Sequence, residues 1–120
     1  MARPKKDRWV CCEPSVTFFK PRGIPLTELQ EVCLRVEELE ALRLKDLQGL
    51  EQEPTAAKMG ISQPTLHRVV LSAHRKIADA LVNGKALRIE GGAYVIKESS
   101  DHRPRMAGRP SRRSDQSSVR

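Results

Sequence analysis

Residues 52–70, QEPTAAKMGISQPTLHRVV, place two helical runs on either side of a glycine. A helix is predicted from Gln52 to Met59, with Pro54 in the first turn, where the missing amide hydrogen is tolerated. Gly60 can take the positive φ that ends it. Ser62 suits the N-cap of a following helix, with Pro64 again in a first turn. That helix is expected to continue to about Val82 and to stop at Asn83-Gly84. Residue classes around the connection Gly60-Ile61-Ser62-Gln63 meet the steric demands of a helix-turn-helix. Ala56, four residues before the glycine, leaves room for a steep crossing. Ile61, Leu66 and Val69 supply a wedge, and Met59 closes it from below.

Along the second of these helices, Leu66, Val69, Val70, Ala73, Ile77, Ala80 and Leu81 form an apolar stripe at helical spacing. The other side carries Gln63, Thr65, His67, Arg68, Ser72, Arg75 and Lys76, with no acid until Asp79. Those are major-groove residue types: Gln can pair with adenine and Arg with guanine, while Ser, Thr and Lys can hold phosphates. Together with Ser62 they are the candidate DNA-binding residues. The same pattern also fits a solvated helix surface. His67 reads as a polar contact rather than a metal ligand, because no Cys or acid stands one turn away.

Upstream, Leu39, Leu42 and either Arg43 or Leu44 through Leu47 recur at three- and four-residue intervals, with Glu37, Glu38, Glu40 and Asp46 among them, and Gly49 closes a first helix. Its acids crowd the first turn, where the helix dipole favours them. The stretch Thr27 to Arg35 is open between a helical turn and an extended piece: Val32 and Leu34 alternate, whereas Thr27 and Gln30 have capping-box spacing. Residues 1–26 contain Pro4, Pro14, Pro21 and Pro25 among their cations, which excludes a long helix and leaves one short strand at Val16-Thr17-Phe18-Phe19. Downstream, Lys85–Glu90 and Ala93–Lys97 flank Gly91-Gly92, a two-residue hairpin signal. The expected fold is mainly α: a three-helix, winged-helix-like helix-turn-helix with a short β-hairpin and a short N-terminal strand. Its expected parts are a basic Pro-rich arm at 1–26, the DNA-binding domain at 27–97 and a disordered basic tail at 98–120.

Of 120 residues, 38% are apolar and 3% aromatic, so one small core of Leu, Val, Ile and Ala is what the chain can build. The net charge of +7 points to a polyanionic partner. Its distribution is uneven: residues 1–27 carry +4, 28–53 carry −5, 54–97 carry +5 and 98–120 carry +3. No apolar run is long enough for a membrane span or a signal core, so a cytoplasmic protein with no membrane partner is expected.

The string from Ala41 to Tyr94, preceded by RPKKDRWVCCEPSVTFFKPRGIPL, resembles an uncharacterised prokaryotic family of small predicted DNA-binding proteins. The helix-turn-helix of that family is similar to region four of sigma factors. The resemblance covers about residues 2–94 and implies DNA binding and, by analogy, transcriptional regulation. This chain departs from the family pattern at Asp7, where a cysteine is expected, at Arg35, where a Ser or Thr cap is usual, and at Pro54, where an acid is usual.

Cys11, Cys12 and Cys33 are weak candidates for a soft-metal site or a redox switch. Adjacent cysteines lack a zinc-knuckle spacer, and three thiols without a fourth ligand make a poor closed site, so the expected metal and cofactor complement is none. Ala107–Arg113 in the tail has the composition of a minor-groove hook, though a basic tail adding nonspecific phosphate affinity fits it better. No nucleophile–base pair, carboxylate pair or phosphate-cradling loop is visible, and no enzyme is expected. The leading reading is a sequence-specific regulator on double-stranded DNA, with a homodimer compatible. The alternative is an adaptor contacting RNA polymerase or another transcription protein through the acidic first helix. An RNA-binding accessory role is disfavoured, because stacking aromatics are scarce and Trp9 is placed in a flexible arm.

Overall fold

The computed structural model describes residues 7–97. The cations at 3–6 and the tail at 98–120, with its hook sequence, lie outside the described residues. The order along the chain is β1 (Arg8–Val10), β2 (Phe18–Phe19), a 3-10 turn (Leu26–Glu28), β3 (Glu31–Leu34), α1 (Val36–Ala41, continuing as a π-helical stretch Leu42–Leu47), α2 (Gln52–Met59), α3 (Gln63–Asn83), β4 (Ala86–Ile89) and β5 (Tyr94–Ile96). The fold is mainly helical with short strands, as the periodicity indicates.

The helix boundaries follow the punctuation in the sequence. Gly60 leaves α2 at φ +68, and Gly84 leaves α3 at φ +66. Ser62 caps α3: its Oγ accepts from the Thr65 amide at 3.2 Å. At the start of α1 no Ser or Thr is needed. The Glu38 carboxylate reaches back to accept from the Arg35 amide at 2.8 Å, and the Val36 amide donates to the Gly91 carbonyl.

The open segment Thr27 to Arg35 proves to be both of its alternatives in succession, a turn and then an extended strand. That strand, β3, is parallel to β4, and β2 adds antiparallel to the far side of β4. Parallel neighbours need a long crossover, and here the crossover is the whole α1–α2–α3 unit. The chain thus threads its three helices between two paired strands and pins both ends of the helical unit.

The expected hairpin at Gly91-Gly92 is not formed. Both strands exist, but β4 pairs with β2 and β3, while β5 pairs parallel with β1. The glycines serve another purpose. Gly92 has φ +106, and a Cβ there would run into the Glu37 carboxylate and Arg35 Cβ. The segment therefore passes from one sheet to the other across a buried acid. The N-terminal stretch is likewise structural: β1 and β2 both belong to sheets, Arg8 and Val10 are buried, and Trp9 packs on the α2–α3 turn.

Two apolar clusters share α3. One joins Ala41, Leu44, Ala56, Met59, Leu66, Val69 and Val70, with Leu50 and Ile61 against it, and so holds the three helices together. The other joins Val10, Leu34, Val36, Ala73 and Ile89 and fastens the helices to the sheets. Fully burying a leucine contributes about 1.5–3 kcal/mol, so Leu34, Leu44 and Leu66, all fully buried, are the main anchors. Two residues of the expected apolar stripes point outward. Leu47 is 82% exposed because the π-helical turns shift the phase of α1, and Leu81 is 78% exposed on a cleft that it shares with Phe19 and Leu87.

Candidate nucleic-acid interface

The polar residues of α3 do not form one surface. Gln63, His67, Arg68 and Arg75 are exposed to solvent, as are Ser62 at the cap and Leu71 and His74 among them. Thr65 is half-buried and bonded locally: its Oγ1 accepts from Ser62 Oγ at 2.9 Å and from Arg68 Nη2 at 3.3 Å. This orients the Arg68 guanidinium along the first turns of the helix. Gln52, at the start of α2, donates to the Gln63 carbonyl at 3.3 Å and ties the two helix starts together.

Ser72 and Lys76 are turned the other way, toward α1. Ser72 Oγ donates to Glu38 Oε2 at 2.5 Å, and Lys76 Nζ donates to Glu38 Oε1 at 2.8 Å. Glu38 is fully buried. Burial pushes its carboxyl up, but the hydrogen bonds from Lys76, Ser72 and the Arg35 amide outweigh that and hold it below its ordinary 4.5. Both residues are therefore removed from the candidate interface. Nothing in the linear sequence marks them, because the partner lies 34 and 38 positions away.

The acidic first helix is also largely internal. Glu37, Glu38 and Glu40 are buried. Glu40 accepts a bidentate bond from Arg43, at 2.8 Å on each oxygen, and takes the Cys11 amide at 3.1 Å. The acidic surface that an adaptor would meet on α1 is thus reduced to Asp46, whose Oδ2 lies 2.6 Å from His74 Nε2. That contact brings an acid to the edge of the α3 face, although α3 itself carries none from Gln63 to Ala78.

Trp9, 36% exposed, lies against the turn between α2 and α3. A Cβ at Gly60 would stand 2.8 Å from its ring, so Gly60 is required both for φ and for this approach. Lys97, just past the end of β5, places its Nζ 4.4 Å from the ring centroid. An aromatic that borders the turn thus carries a cation from the opposite end of the described chain, a grouping absent from the linear sequence because it depends on the parallel pairing of β1 with β5.

The cysteines do not assemble into a metal cage. Cys33 is exposed on β3 and donates to the Glu90 carbonyl at 3.4 Å, and no group of three or more His, Cys, Asp or Glu among the described residues is placed to hold a metal. No helix among the described residues is long and apolar enough to cross a membrane.

The chain is similar to the UPF0251 protein of Caldanaerobacter subterraneus, 65% identical over 96 residues that span 80% of this chain and 81% of that protein. It is 61% identical to the UPF0251 protein of Thermoanaerobacter sp. over 98 residues, 82% and 87% of the two chains. The UPF0251 protein of Dehalococcoides mccartyi is 57% identical over 96 residues, 80% and 82%. No solved structure matches. A family model described as "Protein of unknown function DUF134" matches residues 1–97, the same span that carries the helices and both sheets, and the chain belongs to this family.

Proposed function

We propose that this protein binds duplex DNA sequence-specifically and regulates transcription, with α2 and α3 acting as a helix-turn-helix and α3 entering the major groove. One observation carries the reading. The solvent side of α3 presents Gln63, His67, Arg68 and Arg75 on a helix with no acid from 63 to 78, and Thr65 holds Arg68 in place. Guanidinium and amide donors of this kind match guanine and adenine edges in the major groove, and an outward-facing N-terminal half is what such a helix needs to reach them. Lys97 over the Trp9 ring supports the reading as a further cation beside the residue that packs on the turn.

Selection of bound duplexes from a random library by the full chain tests this. A recurring short sequence, bound with an affinity that falls steeply with salt, is the expected result. Retention with no sequence preference would reduce the proposal to nonspecific binding, and no retention at low salt would refute it.

A further inference from the structure

We infer that Cys11 and Cys12 form a dithiol site for a trivalent arsenic or antimony species, bound with its organic or hydroxyl substituent in the adjoining cleft. The two Sγ atoms lie 2.7 Å apart, at the point where the chain leaves β1. They open on a cleft of about 580 Å³ whose walls include Val16, Phe19, Leu39 and Ile89 together with Glu13 and the Glu40–Arg43 pair, so that it is apolar over the larger part of its surface. A pair of sulfurs beside an apolar recess suits a ligand with one thiophilic atom and one apolar arm.

Geometry separates this ligand from the other partners of a thiol pair. Zinc takes four ligands, and none of the described acids or histidines completes the set. Linear two-coordinate metals place their sulfurs on opposite sides, which neighbouring residues with touching sulfurs cannot do. A disulfide usually needs Cα atoms about 4.4–6.8 Å apart, whereas adjacent Cα atoms across a trans peptide stand about 3.8 Å apart. Oxidation to a disulfide is therefore strained. A trivalent arsenic centre holds its sulfurs side by side near a right angle, a separation that this pair reaches by opening slightly from its 2.7 Å contact.

Burial and the bond to Cys12 push the Cys11 thiol up to about 12. That makes it a poor thiolate nucleophile, hence slow to oxidise, but it does not block this exchange. For a hydrated arsenical R–As(OH)2, two As–O and two S–H bonds break, two As–S bonds form, and each thiol proton leaves with a hydroxide as water. Arsenic stays trivalent, so no oxidant or reductant is required. Cys11 is held through its amide by Glu40, itself clamped by Arg43 of α1, so the first sulfur is fixed in place before the ligand arrives.

The probe is phenylarsine oxide, added to the full reduced chain and followed by intact mass and by competition. The expected result is one phenylarsenic group per wild-type chain, stable to excess monothiol and removed by a small dithiol. Cys33→Ser should behave as wild type, while Cys12→Ser should bind at least about 100-fold more weakly, because it loses the chelate. Cys12 is half-buried, and thermal melting of that variant verifies its fold; should it fail to fold, peptide mapping of the wild-type adduct decides instead. An adduct that includes Cys33, one that monothiol strips from wild type, or equal affinity in a folded Cys12→Ser variant would overturn the assignment.

Discussion

The two polar sides of α3 have similar composition and opposite fates. One, with His67, Arg68 and Arg75, looks outward; the other, with Ser72 and Lys76, looks inward to a buried carboxylate on α1. What separates them is the partner helix. An acid buried at Glu38 has to be satisfied, and the hydroxyl and ammonium nearest to it on α3 are drawn into the interior. Helical spacing distributes polar residues around an axis, but only packing decides which of them meet solvent.

That contrast is most strongly tested at Glu38. Replacing it by Ala leaves Lys76 and Ser72 facing a partly buried gap, and breaking an ion pair of this kind costs about 3 kcal/mol. Urea denaturation of Glu38→Ala should show that loss, and an unchanged midpoint would mean that Ser72 and Lys76 are not bound inside. The next effect is at the turn: Gly60→Ala forces a side chain into a positive φ and against the Trp9 ring, at about 2 kcal/mol by thermal melting. Quenched or shifted Trp9 fluorescence in the same variant would locate the damage. Ser72→Ala is milder, about 1.5 kcal/mol for one hydrogen bond to a charged acceptor that keeps Lys76.

The smallest effect is in acid. Because the folded Glu38 carboxyl is held below its ordinary 4.5, the unfolded chain binds that proton first. Its stabilising contribution is complete above 4.5 and is lost as pH falls through the lower folded value. The urea midpoint of wild type should therefore decline below that pH, and Lys76→Ala should decline less, since the leading bond that lowers the carboxyl has gone.

Much of the fold was legible because its punctuation is local. Gly60, Ser62, Pro64 and Gly84 mark helix ends by their own conformational preferences, and α2 begins and ends at the residues expected. Long-range choices were not legible. Gly91-Gly92 has the composition of a hairpin turn, yet the strands beside it choose partners 55 to 86 positions away, and the glycines accommodate Glu37. Of the candidate interface, Gln63, His67, Arg68 and Arg75 stand at the surface as their spacing suggests, and Ser62 does so as a cap. Ser72 and Lys76 were lost to a contact that no local pattern encodes, and Trp9, read as part of an arm, was hidden by the same limit.

The most direct test of the central claim compares the two sides of α3 in one assay, equilibrium binding of a selected duplex by wild type, Arg68→Ala and Ser72→Ala. Arg68→Ala should lose roughly 1–3 kcal/mol of binding, about ten- to a hundredfold or more, and relax preference at one base pair while its melting temperature holds. Ser72→Ala should melt earlier and, at a temperature where it is folded, bind as wild type does. Wild-type affinity and specificity in Arg68→Ala, or loss of binding in folded Ser72→Ala alone, would contradict the assignment of the outward face as the one that meets DNA.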